Sequence, residues 1–133
     1  MEDVETVVRA YVASAGPDMS RAATFFEEPA TFVGIKFFFL MQTKAEVIKF
    51  LDWSSEAVRP LGFSKSTCEY LSVKMLNPVV ALTSVIYSRQ TSDGIELQRS
   101  GVTYILRKGN HGWKIRNVLP TDLAYLENSE AAG

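Results

Sequence analysis

The chain has 133 residues, 47% of them hydrophobic and 22% charged, which is enough apolar material for one buried core and no composition for intrinsic disorder. Lys and Arg number 14 against 15 Asp and Glu, scattered rather than blocked, and a net charge of -1 offers no broad basic surface to follow a phosphate backbone, so nucleic acid is not an expected partner. A lone cysteine, Cys68, excludes an internal disulfide, and with a lone histidine, His111, it leaves too few soft ligands for zinc, so no metal and no cofactor are expected.

The acidic N-terminus "MEDVETVVRAY" lacks the basic, apolar, small-residue order of a secretory signal, and the longest wholly apolar run, "FFFLM" (Phe37 to Met41), is far too short to span a membrane. A soluble, cytoplasmic protein without a membrane partner is expected. Val4, Val7, Val8, Tyr11 and Val12 share one face of a first helix. "AGPD" (Ala15 to Asp18) ends it, and Asp18 is placed to cap a short second helix over "MSRAATFF". Pro29 marks the exit into "ATFVGIKFFFLMQ", aromatic and β-branched, which reads as two short strands about a turn or bulge at Gly34.

Thr43 to Glu46 has the capping-box form, so a third helix follows, with Val47, Ile48, Leu51 and Val58 on its apolar stripe and its end near Pro60 and Gly62. After Gly62 come "FSKSTCEYLSVKML", "VVALTSVIYSRQTS", "IELQRSGVTYILRK" and "WKIRNVLP", separated by the turn signals Asn77-Pro78, Asp93-Gly94 and Gly109 to Gly112. This is an antiparallel meander, and strands so long must twist and leave a concave side that the helices can close. His111 falls at a hairpin tip away from that side and reads as a loop residue, not a base. "LENSEAAG", from about residue 126, reads as a frayed tail.

The order helix, short helix, "EPATF" strand, capped helix and four-strand meander ending "GWKI", with "RAYV" on helix one, resembles the nuclear transport factor 2-like superfamily (ketosteroid-isomerase-like, SnoaL-like) over nearly the whole chain. The resemblance implies a single α+β domain over 1–133, cone-shaped, with three N-terminal helices packed in the concave face of a curved, mostly antiparallel sheet. It also implies a pocket between sheet and helices and a homodimer through the outer sheet face. The superfamily includes isomerases, cyclases, dehydratases, hydrolases and non-catalytic binding modules, so fold alone does not give function.

Its isomerase branch uses a helix-one tyrosine as oxyanion donor, a first-strand aspartate as base and a protonated aspartate on the third long strand. Tyr11 matches the tyrosine. The base position falls near Gly34 and the second acid near Val102 or Tyr104, where no carboxylate stands, which argues against steroid isomerisation by that proton shuttle.

Candidate residues follow from strand alternation. If Tyr104 points inward, Glu96, Gln98, Ser100 and Val102 share its face; the resemblance adds Arg116 and Val118 on the last strand. Tyr11 and Tyr104 are candidate hydrogen-bond donors, against the plainer reading of amphipathic core residues. Phe26, Trp53, Gln98, Val102, Arg116 and Val118 are the candidate ligand contacts, Arg116 as anchor for a carboxylate, against a surface pair with Glu96. Phe25, Phe50 and Trp53 serve core packing equally well. Arg89 reads as a surface ion pair with Glu96 to Gln98, Trp113 as an anchor on the sheet, Cys68 as a small buried hydrophobe, and Glu27 and Glu28 as solvated acids. Two functions stay open: an isomerase-, cyclase- or dehydratase-type enzyme acting on a small apolar or carboxylated substrate, with no base identified, or a non-catalytic ligand-binding or dimerisation module.

Overall fold

The computed structural model describes residues 3–126. Helix α1 (Val4–Ser14) starts where the Asp3 carboxylate accepts the Thr6 N–H at 2.8 Å, and it buries Val4, Val7, Val8, Tyr11 and Val12 on the expected face. Helix α2 (Ser20–Ala23) is shorter than expected, although Asp18 does accept from the Ser20 N–H at its start. Thr24 closes its last turn, and the Ile115 N–H donates to the Phe25 carbonyl at 2.8 Å. Phe26 is thereby drawn into the sheet, opposite Ile115, and out of the helix where the sequence pattern put it.

Strand β1 (Phe26–Val33) therefore begins before Pro29, not after it. The Glu28–Pro29 peptide is cis, and the proline lies in the stretch between Phe26 and Thr31 where the register shifts, so its missing N–H breaks no regular ladder. A turn closed by the Gly34 N–H on the Phe37 carbonyl leads into β2 (Phe38–Met41). In helix α3 (Lys44–Ser54) the Thr43 hydroxyl accepts from the Glu46 N–H at 3.3 Å, and the Glu46 carboxylate reaches back to the Gln42 N–H at 3.0 Å. Val47, Phe50 and Leu51 are buried on α3; Val58, also buried, belongs to the turn that follows.

Four long strands complete the chain: β3 (Lys65–Asn77), β4 (Val80–Gln90), β5 (Glu96–Gly109) and β6 (Gly112–Thr121). The six-stranded sheet runs β2-β1-β6-β5-β4-β3, antiparallel except where β1 meets β6. Asn110 and the exposed His111 form the last hairpin tip, with Gly112 at φ +88°, a conformation side chains disfavour. Helix α1 packs on β3, and α3 on β1 and β2, so the curved sheet and the helices enclose one apolar core. This is the expected α+β cone, with β1 and β2 between α2 and α3 in the chain as the sequence order places them.

After β6 a helical turn over 123–126 folds back, and Leu126 is buried instead of frayed. A side chain at Gly101 would come within 2.4 Å of the Thr121 carbonyl and 2.9 Å of Leu126, so only glycine admits this close approach. Residues 127–133, the rest of the expected tail, lie outside the described residues. Among the described residues no helix is long and apolar enough to cross a membrane.

Candidate functional site

Between α1, α3 and the concave face lies a cavity of about 360 Å³, partly open to solvent. Helix α1 contributes Tyr11, β1 contributes Phe32, α3 contributes Phe50 and Ser54, and the long strands contribute Ser66, Tyr87, Arg89, Val102, Tyr104 and Val118. Of the residues expected at the site, Tyr11, Val102, Tyr104 and Val118 border this cavity; Phe26, Trp53, Gln98 and Arg116 do not. Phe26 packs against Tyr11 at 5.5 Å between ring centroids and is core. Trp53, 42% exposed, stacks into an aromatic group with Phe37, Phe39 and Phe50.

The two phenols meet edge to face, ring centroids 5.5 Å apart and planes at 88°. Each is buried, Tyr11 to 7% and Tyr104 to 4% exposure. Burial pushes the pKa of both well above the ordinary phenol value, because an ionised phenolate would lose its hydration there. Nearby Arg89 opposes that shift without cancelling it. Both hydroxyls are thus held in the protonated form, and because they hydrogen-bond each other one of the two hydrogens remains to be donated elsewhere.

The two arginines exchange the places the sequence suggested. Arg116 turns outward, donating to the Pro29 carbonyl at 2.8 Å and lying 3.9 Å from Glu27, whose carboxylate also pairs with Arg107. The cause is a register shift between Ile105 and Leu106: their β6 partners are Asn117 and Ile115, so Arg116 is the extra residue of a bulge. Ile115 and Val118 both remain buried across it, three positions apart. Simple alternation from Val118 therefore assigns Arg116 the wrong face.

Arg89 turns inward instead. It is only 6% exposed, and its guanidinium donates from Nη1 to the Ser54 carbonyl at 2.6 Å and to Gln98 at 3.3 Å, and from Nη2 to the Ser54 hydroxyl at 3.2 Å. It also lies over the Phe63 and Tyr87 rings, 5.4 and 5.2 Å from their centroids. The surface ion pair with Glu96 does not form, since the Glu96 carboxylate accepts from Ser88 at 2.6 Å. Gln98 consequently supports the arginine without bordering the cavity. The strand pattern did carry a signal: Ala81, Val85, Tyr87 and Arg89 keep one period-two phase on β4, which placed the arginine on the apolar face.

Arg89 and Ser66, which border the cavity, each carry a polar atom that is buried without a hydrogen-bond partner, Nε of the arginine and the hydroxyl of the serine. Asp122 brings a carboxylate to the exposed rim. Cys68 is half-buried with its thiol pKa raised by burial, as suits a packing residue, and among the described residues no cluster of His, Cys, Asp or Glu could hold a metal ion.

Comparison with known proteins gives a consistent result at the level of fold. A structure from Nostoc punctiforme PCC 73102, described as a domain of unknown function with a cystatin-like fold, superposes with a TM-score of 0.61 at 20% identity, covering 96% of this chain and 83% of that one. An NTF2-like protein with a cystatin-like fold from Novosphingobium aromaticivorans gives 0.63 at 16% identity, covering 90% and 81%. An NTF2-like protein of unknown function from Shewanella oneidensis MR-1 gives 0.63 at 11% identity, covering 90% and 96%. At such identities the likeness extends to the fold alone. No curated protein matches the sequence. The family described as NTF2-like protein (DUF6841) matches residues 4–123, and the chain, with its cone of sheet and helices, belongs to that family.

Proposed function

We propose that this protein binds a small, largely apolar organic molecule inside the cone. The observation that carries the reading is the cavity of about 360 Å³ between helices and sheet, walled by Phe32, Phe50, Val102 and Val118 and carrying a few placed polar groups, the composition of a small-molecule site. The hydrogen-bonded pair Tyr11 and Tyr104 supplies a donor for a carbonyl or hydroxyl of that molecule, and their raised pKa keeps the pair protonated at any physiological pH. The chain also pairs with a second copy through the outer sheet face, where Leu82, Ile105 and Leu119 are half-buried around the hydroxyl ladder of Ser84, Thr103 and Thr121; sedimentation showing only monomer at high concentration would refute that part.

A second reading, isomerase-, cyclase- or dehydratase-type turnover, is favoured by one observation: Asp122 borders the same cavity as the two phenols and could take a proton. A thermal-shift screen of small hydrophobic acids, ketones and alcohols tests the first reading, since a molecule bound only by the folded state raises the midpoint. Compounds that raise it should lose the effect when Val102→Trp fills the cavity. A screen without hits, or hits indifferent to Val102→Trp, counts against the pocket. Product formation that disappears in Asp122→Asn while binding persists would establish the enzyme reading.

A further inference from the structure

The geometry points to a carboxylate as the group this cavity recognises, held by Arg89 with Ser66 beside it; the inference rests on the cavity being a binding pocket and names the class of its ligand. Arg89 is a cation at 6% exposure whose hydrogen-bond partners, Ser54 and Gln98, are all neutral. The ion pairs formed among the described residues are Arg9–Glu5, Arg59–Asp52, Arg107–Glu27 and Arg116–Glu27, and none of them involves Arg89. A buried charge without a counter-charge is costly, and arginine cannot relieve the cost by shedding its proton. An anionic ligand supplies the missing charge.

The unsatisfied atoms specify its shape. Nε and Nη2 lie on one edge of the planar guanidinium, the edge that accepts a carboxylate side-on through two parallel N–H···O bonds. Nε has no partner and Nη2 has spent one of its two hydrogens on Ser54. Ser66 is paired directly with Arg89 across β3 and β4, is 8% exposed, and its hydroxyl is also without a partner. The two residues are cross-strand partners on the wall of one cavity, and a carboxylate reaching them brings an oxygen for each of their orphan atoms. A single arginine among apolar walls compensates one charge, which suits a monocarboxylate better than a phosphate dianion. The Phe63 and Tyr87 rings stack on the guanidinium and hold it in place without neutralising it. The recognised molecule is thus an organic acid with an apolar body, its acid group on Arg89 and its far end near the phenols.

The test is calorimetric titration of the full chain with matched pairs: naphthoic acid against naphthamide, phenylpropanoic acid against its amide, cyclohexanecarboxylic acid against its amide. The acids are expected to bind at least about tenfold more tightly than the amides, with the difference lost in Arg89→Gln and kept in Arg116→Gln. Ser66→Ala, which removes an unpaired hydroxyl and endangers folding least, is expected to weaken acids about threefold and leave amides unchanged. Acids and amides binding equally would overturn the carboxylate assignment while leaving the pocket standing. Binding of neither class would overturn both. An acid preference that survives Arg89→Gln, or that depends on Arg116, would overturn the role given to Arg89.

Discussion

Toward the β2–β1 edge of the concave face, Phe32, Phe39, Phe50 and Trp53 lie with every pair of ring centroids between 5.0 and 6.1 Å apart, so that rings pack this side up to the cavity, which Phe32 and Phe50 border. Toward the β3–β4 edge the same face carries Ser66, Tyr87 and Arg89 around open space, with two buried polar atoms unpaired. The first region spends its side chains on packing. The second leaves a cavity, an orphan hydroxyl and an uncompensated charge, each of which lowers the stability of the empty protein. Sites that give up stability in this way are where function is expected, because folding alone would have selected against them.

The largest effect should come from the filled region. Phe50→Ala is expected to cost about 3–5 kcal/mol of unfolding free energy in urea, since a buried ring would leave a void among its neighbours. A loss below about 1 kcal/mol would mean that the aromatic region is as loosely packed as the hollow one, and the contrast would collapse.

The next effect sharpens the contrast from the hollow side. Tyr11 and Tyr104 have pKa values raised on folding, so in the folded chain they hold their protons after the unfolded chain has released them. Below about pH 10 both states are protonated and nothing changes; above it the unfolded state is favoured, and stability falls by about 1.4 kcal/mol per pH unit for each phenol. Urea unfolding measured across alkaline pH should show this slope, and Tyr11→Phe and Tyr104→Phe should each flatten it by about half. A slope unchanged in both variants would show that the phenols are solvated.

The smallest effect concerns the arginine that faces out. Arg116→Ala is expected to change stability by no more than about 0.5 kcal/mol, as for other half-exposed residues with a long ion pair. A loss of several kcal/mol would return Arg116 to the interior.

Much of this architecture was legible because its signals are local. Thr43 and Glu46 declare the start of α3 within four residues, and Gly112 needs only its own φ to mark a hairpin. The length of α2 was not legible, because Phe25 and Phe26 have the composition of either element and a hydrogen bond from Ile115, far along the chain, decides between them. Of the expected residues that border the cavity, Val102 shared a strand face with Tyr104 by phase, while Tyr11 and Val118 came from the family resemblance. The arginines did not, because the bulge at Arg116 reverses phase and cannot be seen in a sequence of alternating polar and apolar residues. Arg89 was misassigned for a different reason: Glu96 is close to it across a tight turn, but it faces away and bonds to Ser88.

The most direct measurement is the urea unfolding free energy of Arg89→Met beside the unaltered protein, each with and without naphthoic acid. If Arg89 is held in the core for a ligand, Arg89→Met without acid should be at least as stable as the unaltered protein, or weaker by no more than about 1 kcal/mol for the lost bonds to Ser54 and Gln98, and the stabilisation by acid should vanish. An Arg89→Met protein that is about 3 kcal/mol less stable yet still stabilised by the acid would show Arg89 to be a structural residue and contradict the account.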